Sequence, residues 1–97
     1  MGERRKYQVA LTINDRKITE VIIDPHYEIN HGKTMNDDII LDLVTLLDGK
    51  IFEPGKTNNR FQYFKTDPLY LNETKYRLIW LLEDNRLYVG VVNTFRR

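Results

Sequence analysis

A chain of 97 residues, 41% hydrophobic and 30% charged, has the size and mix of one folded domain, which excludes two domains or an intrinsically disordered chain. It contains no cysteine, which excludes a disulfide framework and thiolate chemistry. The net charge is only +1, but residues 1–49 hold six basic and nine acidic side chains, against nine basic and five acidic in 50–97, so the second half is where a basic surface is expected.

The first predicted element is a strand over Lys6–Ile13, where Val9, Leu11 and Ile13 alternate with more polar residues. Asn14-Asp15-Arg16-Lys17 reads as a turn, because Asn and Asp tolerate positive φ. The β-branched run Ile18–Asp24 then pairs back as a hairpin. An even loop would put Ile18 and Ile22 on the face of Val9 and Leu11, and an odd, bulged loop Val21 and Ile23. Pro25 ends this strand, and the histidine-bearing stretch "HYEINHGKT" reads as a loop leading into a helix. Thr34 is the expected N-cap, with Asp37 reaching back, and the spacing of Ile39, Ile40, Leu43, Val44 and Leu47 predicts a helix over 36–48, stopped by Gly49.

Ile51-Phe52 reads as a short strand, Lys56–Asn59 as a turn, Arg60–Thr66 as an aromatic strand and Pro68–Glu73 as a packed loop. The strongest β signal is Lys75–Glu83 and Arg86–Arg96 around Asp84-Asn85, a pair suited to a two-residue turn. That register sets Trp80 opposite Val89, Leu78 opposite Val91 and Tyr76 opposite Asn93. It also gathers Lys75, Arg77, Thr94 and Arg96 at one end of the other face. The expected architecture is α+β: a single antiparallel β-sheet with one main helix packed on it, in the order ββαβββ, as one domain over 1–97. So small a sheet leaves a broad face exposed, which suits a binding role.

Two groups could carry chemistry. Asp24, His26, Glu28 and His31 have ligand atoms, but their spacing fits no metal signature, so neither a metal nor another cofactor is expected. Acid–base work on a phosphodiester is the better use of these residues. His26 or His31 would move the proton, with Glu28 beside them, Lys33 and Arg77 or Arg96 would steady phosphorane charge, and Tyr27, Tyr63 or Tyr88 could stack a base. In an extended segment positions 26 and 31 face opposite sides, so at most one histidine is expected to act, with a partner from the last hairpin. The second group is the basic strand end, where Arg77, Thr94, Arg96 and Arg97, with Lys65 or Lys75, have the types that hold phosphate.

Three stretches, "HYEINHGKTMNDDIILDLV", "KYRLIWLLE" and "LYVGVVNTFRR", together resemble the small RelE/ParE-like toxins of bacterial toxin–antitoxin modules and the related barnase–EndoU–colicin–RelE-type ribonuclease folds. The resemblance spans residues 26–97 by pattern. It implies a cytoplasmic, metal-independent endoribonuclease with RNA as target and a cognate antitoxin as partner, using His31 or His26, Arg77, Thr94 and Arg96. The alternative expectation is a non-enzymatic interaction module, an inhibitor or adaptor or a ParE-like topoisomerase binder, that uses the exposed sheet face. No apolar run is long enough for a signal peptide or a membrane span, so no membrane contact is expected.

Overall fold

The computed structural model describes residues 3–97. It corrects the expected architecture: the described residues are 54% strand and 15% helix, and the six strands form a mixed half-barrel sheet with only short helices. The elements are β1 Arg5–Ile13, β2 Arg16–Ile23, α1 Tyr27–His31, α2 Asp37–Thr45, β3 Lys56–Asn58, β4 Phe61–Leu71, β5 Thr74–Glu83 and β6 Tyr88–Arg96. In the sheet they lie in the order β1-β2-β6-β5-β4-β3. All neighbours are antiparallel except β2 and β6, which run parallel from Glu20↔Tyr88 to Ile23↔Val91. A parallel pair needs a long crossover. Here the chain from α1 to β5 supplies it, which no reading of adjacent segments can detect. No helix among the described residues is long and apolar enough to cross a membrane.

The β1–β2 hairpin closes on Asn14-Asp15, both at positive φ (54° and 59°). It pairs as an even loop near the turn (Leu11↔Ile18), then gains an extra residue in β1 between Gln8 and Leu11. Ile18, Val21 and Ile23 therefore all face the core, so each of the two expected registers holds in one half of the hairpin. Asn14 also ties this turn to the rest of the fold. Its Oδ1 accepts the Phe52 N–H at 2.6 Å, and its Nδ2 donates to the Phe52 carbonyl at 3.0 Å. We expect Asn14→Gly, which tolerates the same φ but loses both bonds, to lower stability by about 1.5 kcal/mol in urea denaturation. A loss under about 0.5 kcal/mol would show that the clamp contributes nothing.

The histidine stretch is not a plain loop. It forms α1, one turn of helix too short to show a periodic pattern, with Tyr27 buried. The next helix is capped by Asn36, whose side chain accepts the Ile39 N–H at 2.9 Å, rather than by Thr34, whose own N–H bonds to the His31 carbonyl. Ile40, Leu43, Val44 and Leu47 are fully buried, as their spacing predicts, but regular helix ends at Thr45 and the chain turns out through Gly49 at φ 78°. Lys56–Asn58 is a short edge strand instead of a turn, and β4 runs on past Pro68 to Leu71, with a shift in register between Thr66 and Leu69.

The last hairpin also differs from expectation. Leu82 pairs with Val89 and Trp80 with Val91, because the connection spans Asp84–Leu87. The Leu87 carbonyl accepts the Thr19 N–H at 2.8 Å, so β2 claims a group that the tighter hairpin would have kept for β5. A second shift, between Ile79 and Trp80, leaves one extra residue in β6 and turns Thr94 into the core opposite Leu78. The core lies between the helices and one sheet face, around Trp80, Phe64, Leu78 and Ile40. The opposite face is open.

Candidate functional site

The predicted site residues fall into three places. At the first, Phe95 on β6 forms a small stack. The His31 ring lies against it at 5.0 Å between centroids and 26° between planes, and the Arg77 guanidinium sits 5.3 Å from the same ring. These two residues, far apart in sequence, therefore meet through an aromatic ring that the sequence reading did not single out. Arg77 is already committed. Its Nε and a terminal nitrogen donate to Asp67 Oδ2 at 3.0 and 2.8 Å, and Arg97 bonds to the same oxygen. The Arg77 hydrogen bonds hold the Asp67 carboxyl below its ordinary pKa.

Thr94 does not join this group. It is fully buried, and its hydroxyl donates to the Arg77 carbonyl at 3.0 Å, so it stitches β6 to β5. Arg96 pairs with Tyr76 on the core-facing row and projects into solvent at the strand end, while Lys75 is exposed on the open face. The shifted register is the reason the expected foursome does not form on one face.

The second place is a carboxylate clamp. Asp37, at the start of α2, accepts from Arg5 Nε at 2.5 Å and a terminal Arg5 nitrogen at 2.9 Å, from the Tyr7 hydroxyl at 2.5 Å and from the Tyr27 hydroxyl at 2.8 Å. The Arg5 bond dominates in holding the Asp37 pKa down to about 2. Burial first, then the bond to Asp37, pushes the Tyr27 hydroxyl up to about 12. Four donors fill the carboxylate's acceptor sites, which makes this group a structural anchor between β1, α1 and α2. Glu28 lies 3.4 Å from Arg5 at its edge. His26 and Lys33 are exposed on either side of α1, and the His26 backbone N–H donates to Asp24 Oδ1 at 2.9 Å. The four residues expected to share proton transfer and phosphate charge, His26, His31, Glu28 and Arg77, are thus dispersed, with only His31 and Arg77 in one place.

The third place is on the open face. Side chains of β4, β5, β6 and β2 line a groove of about 440 Å³, with Phe61 and Tyr63 on one bank and Ile22, Asp24 and Arg4 on the other. Leu81 and Gly90 make its floor. A Cβ on Gly90 would come within 2.8 Å of Leu81 Cδ1, so the glycine lets Leu81 lie flat across β6. Phe61 and Tyr63 are tilted 40° to each other at 6.3 Å. At one end Glu83, only 12% exposed, forms an ion pair with Arg60 at 2.9 Å and accepts from the Tyr88 hydroxyl at 2.6 Å. Burial, reinforced by this bond, raises the Tyr88 pKa to about 12. Arg60 and Arg86 stand 68% exposed around that shielded carboxylate, and Arg4 stands 3.7 Å from Asp24 at the far end.

Tyr63 and Tyr88 were named from sequence as candidate stacking residues. Phe61, Gly90, Arg4 and Glu83 were not, although strict alternation along "RFQYFK" separates Phe61 and Tyr63 from Phe64, which alone of the three is fully inside. Comparison with protein-family models, curated proteins and solved structures finds no match for this chain.

Proposed function

We propose that this chain is a binding protein whose working surface is the open face of its sheet and whose ligand is a polyanion. The supporting observation is a set of exposed lysines on that face. Strand pairing directs Lys6, Lys17, Lys56, Lys65 and Lys75 outward on the open face, against Glu20 and Glu83 on the same rows, whereas α2 on the other side carries Asp37, Asp38 and Asp42 and no basic residue. Five exposed lysines thus share one surface with the groove.

The second reading is the toxin-like endoribonuclease with an antitoxin partner. What favours it is the meeting of His31 and Arg77 on Phe95 at the basic end of the same face. One experiment addresses both readings. Fluorescence polarisation with heparin and with a labelled RNA oligonucleotide should show binding that weakens with salt. Lys6→Glu/Lys65→Glu should lose at least tenfold in affinity, and the RNA should stay intact. Absence of binding at low salt, or equal affinity in the charge-reversed protein, would sink the polyanion reading. RNA cleavage that disappears in His26→Ala/His31→Ala would replace it with the ribonuclease.

A further inference from the structure

Resting on the polyanion reading, we infer that the ligand is a single-stranded nucleic acid and that one of its bases enters the groove and stacks on Tyr63. The groove's volume, about 440 Å³, falls within the range of small-ligand sites, and the rings of Phe61 and Tyr63 and its aliphatic floor lie between Glu83 at one end and Arg4 with Asp24 at the other. Among the described residues Tyr63 has Phe61 as its one aromatic neighbour, tilted instead of stacked. Arg60 lies over Phe61, at 5.5 Å, and among the described residues no cation lies over the Tyr63 ring.

Cations flank both banks. Lys56 pairs directly opposite Tyr63 and Lys65 follows two residues later on β4, while Lys6 pairs opposite Ile22 on the far bank next to Arg4. The banks are three strand spacings apart, roughly 14 Å. A phosphate chain laid across the groove meets positive charge on each side, with an unpaired base turned down between them. A duplex keeps its bases stacked inside and has none to offer. An acidic peptide would match the cations but has no need of a ring-walled pit floored by glycine. Aromatic platforms set in a basic track are the general means of holding single strands without sequence readout.

The test measures affinity by polarisation for labelled 12-mers of uridine, of deoxythymidine and of abasic sugar-phosphate, and for a 12-residue poly-glutamate peptide, at one salt concentration. The protein is expected to bind the base-bearing strands about tenfold tighter than the abasic one. Tyr63→Leu should remove that difference and leave abasic affinity unchanged, and Tyr63→Phe should preserve it. Fluorescence of the single tryptophan, Trp80 in the core, reports whether each variant is folded. A preference for uridine over deoxythymidine assigns RNA as the source, and the reverse assigns DNA. Equal affinity for abasic and base-bearing strands overturns base stacking while leaving the polyanion reading in place. Poly-glutamate binding as tight as uridine overturns it in favour of an acidic protein partner. Failure to bind any of the four ligands removes the polyanion reading itself.

Discussion

Trp80→Ala should destabilise the protein by about 4 kcal/mol, against the 5–15 kcal/mol that holds a typical domain together. Trp80 is fully buried at the centre of β5, paired with Phe64 on one side and Val91 on the other. Phe64 stacks on it at 4.0 Å and 10°, and Phe52 meets it edge-on at 5.4 Å. Truncation removes the largest core side chain and both ring contacts, and neighbouring β-strands cannot collapse into the void without breaking ladder bonds. The indole N–H donates to Thr66 Oγ1 at 2.9 Å, so the change also strands that hydroxyl. Urea unfolding followed by far-UV circular dichroism gives the value. A loss below about 1.5 kcal/mol would mean that the strands around Trp80 repack far more freely than their pairing implies.

The Asp37 clamp yields the second large effect, with a pH signature that separates it from a packing defect. Its carboxylate is about 15% exposed and receives every hydrogen bond it can accept. Lowering its pKa from 3.8 to about 2 corresponds to roughly 2.5 kcal/mol of preference for the folded state. The sign follows from proton counting. Between pH 2 and 4 the unfolded chain holds more protons at this group than the folded chain, so stability rises with pH across that window. The contribution is complete above the unfolded value near 4, shrinks below it, and is lost once pH has fallen through about 2. Asp37→Asn should therefore cost about 3 kcal/mol at pH 7, and the variant's urea midpoint should vary less between pH 2 and 4 than that of the parent protein. A variant with an unchanged pH profile would place the clamp's contribution elsewhere.

What the sequence revealed, and what it hid, divides along the range of the interactions. The apolar stripe of α2 and the Asn14-Asp15 turn are local, and both appear where the pattern put them, although the helix stops at Thr45. The end of the last hairpin is set from outside itself. Thr19 captures the Leu87 carbonyl, the pairing of β5 and β6 moves by two residues, and the extra residue in β6 then carries Thr94 from the expected basic cluster into the core. No pattern within "KYRLIWLLEDNRLYVGVVNTFRR" contains that information. The parallel β2–β6 pairing was hidden for the same reason, and with it the mixed sheet. At the candidate site, Tyr63 and Tyr88 were legible as aromatic residues on strands. The groove was not, because its two banks come from β4 and β2, which become neighbours only through β5 and β6.

The β2–β6 seam also bears on how the chain reaches its working state. The β1–β2 hairpin and the β3–β6 meander are each built from contacts between successive strands, whereas the seam joins groups 68 residues apart at Thr19 and Leu87. Closing so long a loop has to precede any contact along it, so the two ribbons are expected to form first and their docking to be the slow step. Before docking, the Tyr63 bank and the Ile22 bank belong to separate ribbons and no groove exists between them. The groove is therefore expected to appear only with that docking, so a half-assembled molecule would lack it.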